Sequence, residues 1–328
     1  MATQLLGTHM NIWTLGDAVV DLLPLENMQY EACAGGAPVN VAVGAALLGQ
    51  PSGFIGRVGK DAFGYFLRDT MAAAGVNTKH MEFDPKYRTS TVLVSLEKQG
   101  ERHFEFLVNP SADQFLSPTA LPELGRDILH CCSLALVAAE CRQTLEQAVT
   151  QLRDAHGMLS FDINLRPQMW ADQGEMLTRI DQLARQSDIL KMSEEELHWL
   201  TQSQGMEAAL QRLAAYPAPL KIITRGAEGA LVLWQDRVLA FTSYSVESMD
   251  TTGAGDAFMA GLLAAIAAHG WPGDEAAICT LMTQASACGA LATTRKGALK
   301  ALPNKEALNA FIDSQPTLDF ESQIAPVK

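Results

Sequence analysis

The second half of the chain alternates short apolar segments with longer segments of helical periodicity. Apolar segments that contain few polar residues are typical of parallel strands buried on both faces of a sheet, and helices between them supply the crossover connections. A hairpin-like pair follows at residues 230–234 and 238–241. The apolar segments are residues 128–137, 158–163, 188–192 and 220–224, and the helical ones are 140–155, 173–185, 194–200 and 206–215. This pattern predicts an α/β fold with a mainly parallel sheet.

The size and charge of the chain limit its possible functions. Its 328 residues are 48% hydrophobic, which is enough for a large core and for two domains or one large α/β domain with an addition. No interdomain linker is evident. The formal net charge of −13 makes the chain a poor candidate for binding DNA or RNA, although one nucleotide could still bind at a local site.

The sequence predicts a cytoplasmic protein. No apolar run reaches the length that spans a bilayer. Residues 1–9 lack the basic region and hydrophobic core of a secretory signal, and we expect them to be an extension ahead of Met10. The six cysteines are scattered without a C-x-x-C pair, which favours reduced thiols over disulfides or a zinc site.

Residues 250–258 combine glycines, an acid and the start of a helix. Gly253 and Gly255 free the backbone, and apolar residues then recur at helical spacing from Phe258. A glycine-rich turn at a helix N-terminus directs N–H groups at one point, which suits a phosphate. Asp256, in the first helical turn, could take a proton from an attacking hydroxyl. A structural glycine turn with an ordinary helix-start acid explains this stretch alone equally well.

Two polar clusters occur in the first 40 residues. A predicted strand at residues 11–16 continues into residues 17–22, and its acids Asp17 and Asp21 stand at the strand end, where α/β proteins bind polar ligands. Gly35 and Gly36 precede a predicted helix that contains Asn40, and paired glycines allow a ligand to approach the main chain. The alternatives are a solvated acid pair and a simple helix start.

Three further polar clusters follow strands of the repeating pattern, at residues 162–166, 191–197 and 224–229. In the middle cluster, Ser193 and Glu196 have the spacing of a helix capping box, which is the ordinary explanation for acids at such a position. Residues 88–108 instead alternate polar and apolar residues around a turn and predict a hairpin. This hairpin is either an ordinary edge hairpin or part of a lid that excludes water, to which residues 20–33 could add strands.

Two of these stretches resemble signatures of a known family. Residues 35–40 (GGAPVN) and 250–258 (DTTGAGDAF) are similar to the two signatures of the ribokinase-like (PfkB-type) carbohydrate kinases, and the resemblance covers nearly the whole chain from Met10. It implies a single domain over residues 10–328, built as a three-layer α/β/α sandwich with a mainly parallel central sheet. It also implies a small, discontinuous β lid from about 20–34 and 87–110.

The resemblance also implies roles for individual residues. Asp256 would be the general base, with the amides of Gly253, Ala254 and Gly255 as the anion hole. The residues that would bind the sugar are Asp17, Asp21, Gly35, Gly36, Asn40 and Arg166. Those that would border the nucleotide are Lys191, Glu196, Thr224, Gly226, Gly229, Lys296 and Gly297. Glu196 would organise Mg²⁺ through water, and Asp250 and Thr252 would lie at a monovalent cation site, with K⁺ as the candidate ion.

Within the family, residues 162–166, 191–197 and 295–298 most resemble bacterial fructokinases. Two departures matter: Ser193 stands where many relatives have asparagine, and Val19 stands where ribokinases have asparagine, which argues against ribose. We therefore expect a cytoplasmic, ATP- and Mg²⁺-dependent kinase that converts fructose to fructose 6-phosphate and dimerises through the lid. The alternatives are an aminoimidazole riboside or other nucleoside kinase, a 2-keto-3-deoxygluconate kinase, and a non-catalytic sugar- or nucleotide-binding regulator.

Overall fold

The structure is a computed structural model that describes residues 10–96 and 102–324. The expected extension at residues 1–9 and the turn of the predicted hairpin lie outside the described residues. The strands are β1 (Ile12–Leu15), β2 (Val19–Pro24), β3 (Tyr30–Gly35), β4 (Ser52–Gly59), β5 (Asn77–Asp84), β6 (Ser90–Leu96), β7 (Arg102–Phe106), β8 (Ile128–Cys132), β9 (Met158–Asp162), β10 (Ile189–Ser193), β11 (Leu220–Thr224), β12 (Ala230–Trp234), β13 (Arg237–Phe241) and β14 (Phe320–Ile324). The helices are α1 (Ala37–Leu47), α2 (Ala62–Ala73), α3 (Ala139–Asp154), α4 (Gln173–Ala184), α5 (Glu194–Thr201), α6 (Met206–Leu213), α7 (Ala254–His269), α8 (Glu275–Thr293), α9 (Ala298–Ala301) and α10 (Lys305–Ser314).

Ten strands form the central sheet, in the order β14-β13-β12-β11-β10-β9-β8-β1-β4-β5. The strands from β11 to β5 in this order pair in parallel, whereas β12, β13 and β14 add to one edge as antiparallel strands. Because the parallel strands run in the same direction, the loops that follow them meet at one edge of the sheet. This edge carries most of the predicted site residues.

Both faces of the central sheet are buried against helices. Neighbouring strand residues alternate between two cores, as Ile128 and Leu129 of β8 show. One core contains residues of α1, α2, α7 and α8, and the other contains residues of α3, α4, α5 and α6. Apolar side chains on both faces explain why these strands are apolar along their whole length. The predicted α/β class with a mainly parallel sheet is confirmed.

A second, four-stranded sheet has the order β3-β2-β6-β7. The predicted hairpin forms β6 and β7, which pair antiparallel, and β2 pairs with both β3 and β6. The prediction that residues 17–22 continue the first strand is wrong, because the chain leaves the central sheet at Gly16 and Asp21 belongs to β2 of the second sheet. Val19, Val92 and Val94 form a small apolar core on this sheet.

The expectation that no apolar run could span a bilayer is also wrong by length and composition. Among the described residues, α8 has 19 residues and a mean hydropathy of 1.3 over its most apolar window, which meets that criterion. In the fold α8 packs against α7: a Cβ on Gly261 of α7 would lie 2.9 Å from Cys288 Sγ of α8. The apolar character of α8 therefore serves the packing of one helical layer.

Candidate active site

A cavity of about 140 Å³ lies between the second sheet and the loops at the carboxyl end of the central sheet. Its lining brings together eight predicted site residues from distant parts of the chain. These are Asp17, Asp21, Gly36, Asn40, Arg166, Thr252, Gly253 and Asp256. Residues for which no site role was predicted also line it: Val19, Ala37, Val92, Phe106, Cys132, Leu134, Asn164, Gln168 and Ala298.

Helix α7 begins inside residues 250–258, as the sequence predicts. Gly253 is the residue before its first turn and has φ of +75°, a left-handed conformation that glycine adopts without strain. A Cβ on Gly253 would lie 2.6 Å from Cβ of Ala298, so the turn also has no room for a side chain. The first-turn amides and Asp256 are consequently presented to the cavity together.

Asp256 receives a hydrogen bond from Asn40, whose Nδ2 lies 2.7 Å from Oδ2 of the carboxylate. This contact depends on the close packing of α1 and α7, since a Cβ on Gly44 of α1 would lie 2.5 Å from Cβ of Ala260. The pKa of Asp256 is raised to about 7, mainly by burial and also by the nearby charge of Asp162, although the Asn40 hydrogen bond and the charges of Lys191 and Arg166 lower it. A carboxyl group with a pKa near neutrality is suited to accept and release a proton at physiological pH.

Asp17 also lines the cavity and is 8% exposed. Burial is the main reason why its pKa rises to about 6, and the negative charge of Asp113 adds to the effect. Arg166 favours the ionised form of both Asp17 and Asp256. Arg166 is exposed, and it is the only lysine or arginine among the described residues that line the cavity.

Glycines allow the acids of the cavity to lie close to the main chain. A Cβ on Gly35 would lie 2.3 Å from Oδ2 of Asp21 and would displace that carboxylate. Gly36 has φ of +103°, and a Cβ there would lie 2.7 Å from the main-chain oxygen of Asp17. The Gly-Gly pair therefore holds β2 and the loop after β1 against the start of α1.

Lys191 and Asp162 form a buried ion pair below the cavity. The two residues are register partners on β10 and β9, and Lys191 Nζ lies 2.9 Å and 3.1 Å from the two carboxylate oxygens. Lys191 is 6% exposed and Asp162 is 1% exposed. The Cβ position of Gly255 lies only 3.2 Å from Lys191 Nζ, so the ammonium group is next to the first turn of α7. The sequence analysis placed Asp162 in a polar cluster but gave it no role.

Glu196 forms the capping box of α5 with Ser193, as its spacing predicts. Its Oε2 accepts from the Ser193 amide at 2.8 Å, and its Oε1 accepts from the Leu165 amide at 2.7 Å. A carboxylate has about four lone-pair positions, so two remain after these bonds. The arrangement therefore fits an indirect, water-mediated contact to Mg²⁺ better than direct coordination.

The other predicted nucleotide-binding residues lie outside the cavity lining. Thr224 ends β11, and its hydroxyl contacts the main-chain oxygen of Met192 at 3.4 Å. Gly226 and Gly229 flank the turn between β11 and β12, and a Cβ on Gly229 would lie 2.0 Å from the oxygen of Phe241. Lys296 is exposed in the turn before α9.

Asp250 connects the start of the glycine motif to that same turn. One carboxylate oxygen accepts from the Thr252 amide at 3.0 Å, and the other accepts from the Gly297 amide at 2.9 Å. Through these bonds Asp250 holds the turn before α9 against the start of the glycine motif. Carboxylate oxygens are also hard ligands, the type that hard cations prefer.

His130 is a buried residue near the site that sequence reasoning missed. Its Nδ1 lies 3.0 Å from Ser160 Oγ, and its Nε2 lies 3.8 Å from Cys132 Sγ. Burial, together with the charge of Lys191, lowers the pKa of His130 to about 3, so the ring is neutral. Burial also raises the pKa of the Cys132 thiol. Since the contact with Ser160 depends on the pairing of β8 with β9, no local sequence pattern identifies it.

Comparisons with known proteins agree with this geometry. Residues 12–305 match the family described as pfkB family carbohydrate kinase. A fructokinase from Salmonella typhimurium is 47% identical over 303 residues, which cover 92% of this chain and 99% of that protein. A crystal structure of fructokinase from Vibrio cholerae O395 with fructose, ADP and calcium has a TM-score of 0.88 and 44% identity, covering 93% of this chain and 99% of that one.

Aminoimidazole riboside kinase from Salmonella enterica, solved with aminoimidazole riboside and an ATP analogue, has a TM-score of 0.86 and 35% identity. The alignment covers 93% of this chain and 100% of that chain. The predicted ribokinase-like fold is therefore confirmed. Together with its two glycine signatures, these matches show that the chain belongs to the pfkB family of carbohydrate kinases.

Proposed function

We propose that the protein transfers the γ-phosphoryl group of ATP to a primary hydroxyl of fructose and forms fructose 6-phosphate. The observation that carries this proposal is the position of Asp256, at the start of α7 and at the wall of a cavity lined by polar side chains. Its Asn40 hydrogen bond and its pKa near 7 support a role as general base.

In the proposed reaction the sugar hydroxyl oxygen attacks the γ-phosphorus atom. The bond between that phosphorus and the β–γ bridging oxygen breaks, ADP leaves, and the hydroxyl proton passes to Asp256. The amides of Gly253, Ala254 and Gly255 stabilise the negative charge on the group in transfer. The residues that bind and orient the sugar are Asp17, Asp21, Gly35, Gly36, Asn40 and Arg166.

The ions have separate places in this proposal. Mg²⁺ would neutralise charge on the nucleotide phosphates, with Glu196 holding one of its waters. The residues that border the nucleotide are Lys191, Thr224, Gly226, Gly229, Lys296 and Gly297. A potassium ion would bind beside Asp250 and Thr252, where the cation would fix the loop before the anion hole.

Fructose is proposed as the acceptor because the similar proteins include a fructokinase at 47% identity and one solved with fructose and ADP. Aminoimidazole riboside is the second candidate, because a kinase solved with that compound has a TM-score of 0.86. A coupled assay of ADP release with fructose, ribose, aminoimidazole riboside and 2-keto-3-deoxygluconate separates these. The highest kcat/KM for fructose supports the proposal, and a higher value for another acceptor overturns the substrate assignment. A lack of turnover with all four would favour a non-catalytic binding protein.

We further propose that the second sheet is a lid and a dimer contact. Its inner face lines the cavity through Val19, Asp21 and Val92. Three large apolar side chains along the connection from β2 to β3 are exposed, Leu25 by 55%, Met28 by 83% and Tyr30 by 37%, and an exposed apolar patch is typical of a protein interface. Light scattering should therefore give the mass of a dimer, and Met28→Glu should reduce it. Met249→Glu, at a 63% exposed position away from this sheet, is the matched control.

A cytoplasmic location is proposed on the state of the cysteines. All six are free, and Cys131, Cys132, Cys141 and Cys288 are buried. Free thiols are typical of reducing compartments. Fractionation of the source cell with an antibody to the protein would test the location.

A further inference from the structure

The Lys191–Asp162 pair has a geometry that binding of a nucleotide does not require. A lysine that only contacts phosphates could extend from the surface, whereas Lys191 is 6% exposed and points at Asp162. Its Nζ lies beside Gly255, and the absence of a side chain at Gly255 leaves room for it. The ammonium group therefore sits under the first turn of α7.

We propose that Asp162 is a positioning residue that holds the Lys191 ammonium group against the Gly253–Gly255 turn, so that this charge acts on both the anion hole and the Asp256 carboxylate. This inference rests on the proposed function of Asp256. Lys191 adds positive charge where the phosphoryl group arrives, and Asp162 fixes the place of that charge before any ligand binds.

Stability alone is a poor explanation for the pair. Removing two charges from water costs several kcal/mol per ion, and apolar residues of similar volume are often at least as stabilising. Lys191 and Asp162 stand in cross-strand register and are the charged residues of β10 and β9, whose other residues are apolar or serine. A buried ion pair at this one position is better explained by the charge that it delivers to the site.

The two members of the pair act on Asp256 in opposite directions. Asp162 raises the pKa of Asp256, whereas Lys191 and Arg166 lower it. Asp256 in turn raises the pKa of Lys191 and of Cys132, and Glu196 also raises that of Lys191. These are the charged groups that the surrounding elements direct at the pair and the base.

The test is the pH dependence of kcat/KM for fructose at saturating MgATP. The acid limb of this profile is the pH range in which kcat/KM falls as Asp256 becomes protonated. Asp162→Asn should move this limb to lower pH, and Lys191→Met should move it to higher pH, each by about one unit. Lys191→Met should also lower kcat by about 10²- to 10³-fold, the usual effect of removing one charge-stabilising group. The double variant should return the limb toward that of the wild type while kcat stays low. Opposite shifts are not expected from a purely structural pair.

Controls separate the possible outcomes. Asp188→Asn breaks the Arg153–Asp188 pair before β10, at the opposite end of the strand, and should leave kcat and the limb unchanged. Thermal melting identifies variants that do not fold, and the charge-neutral double variant is the one expected to fold if Lys191→Met does not.

If Asp256→Asn is inactive but the pair variants keep the wild-type acid limb and kcat, the inference is wrong. If Asp256→Asn is active, the proposed function fails first.

Discussion

Asn40 and Asp256 are 216 positions apart in the chain, yet Asn40 Nδ2 donates to Asp256 Oδ2 at 2.7 Å. The contact joins the starts of α1 and α7, which carry the two glycine signatures of the family. It therefore links the part of the site that is proposed to bind sugar to the part that is proposed to transfer the phosphoryl group.

Replacing Asn40 should impair the base without removing it. The hydrogen bond from Asn40 lowers the pKa of Asp256, so Asn40→Ala should raise that pKa and move the acid limb of kcat/KM to higher pH. A hydrogen bond to a charged group contributes about 1.5–3 kcal/mol, which corresponds to roughly a 10- to 100-fold loss of rate near neutral pH. Asn309→Ala on the exposed side of α10 is the control. A wild-type pH profile in Asn40→Ala would exclude this role.

The raised pKa of Asp256 also predicts how stability depends on pH. Burial and Asp162 raise this pKa from 3.8 to about 7, so the folded protein binds the proton more tightly than the unfolded chain. The stabilising effect is complete below pH 3.8 and is lost as pH rises through 7. Asp256→Asn has no such loss, so its Tm relative to wild type should increase between pH 4 and 7 and then level off. A Tm difference that is the same at all pH values would contradict the raised pKa.

A side chain at Gly253 should disturb the anion hole. Gly253→Ala and Gly270→Ala, before and after α7, both place alanine at a positive φ, which costs about 1–2 kcal/mol. Only Gly253→Ala also has a close contact, 2.6 Å from Cβ of Ala298, whereas nothing lies within 4 Å at Gly270. We expect Gly253→Ala to lose at least about 10²-fold in kcat, as when an anion-hole donor is removed. Equal kcat values for the two variants would show that the turn tolerates a side chain.

The sequence predicts the central architecture because the strands buried on both faces are apolar along their length. Residues 220–224 and 230–234 coincide with β11 and β12, and the predicted helix over residues 206–215 coincides with α6 to within two residues. The edge strands β5 and β14 were missed because they carry many polar residues, as in Phe320–Ile324. The predicted strand at residues 128–137 ends at Cys132, where a short 3-10 turn begins.

The residues of the candidate site also differ in how well the sequence alone predicts them. Asp256 and Gly253 are recognisable because the turn, the acid and the helix start are contiguous in the chain. The Lys191–Asp162 pair depends on the register of β9 with β10, which local patterns do not define. The residues alone did not place Asp21 in a separate sheet, because only one glycine marks the point where the chain leaves β1, whereas the lid that the family resemblance implies over residues 20–34 includes Asp21.

Sugar binding should protect the second sheet from hydrogen exchange. Asp21 and Val92 face the cavity from β2 and β6, and closure over the sugar would reduce opening of these strands. Amides of β2 and β6 should exchange more slowly with saturating fructose, without nucleotide. Exchange in strand β13, which lies between β12 and β14 of the central sheet and is not part of the cavity lining, should not change. Unaltered exchange in β2 and β6 would contradict closure of a lid.

The central claim is that Asp256 is the general base of a fructose kinase. Its most direct test is steady-state turnover of Asp256→Asn with fructose and MgATP, alongside calorimetric ATP binding and a thermal melt that confirm the fold. The account predicts normal ATP binding and a kcat that is lower by about 10²- to 10⁴-fold. Near-normal kcat in a folded, ATP-binding Asp256→Asn variant would contradict it.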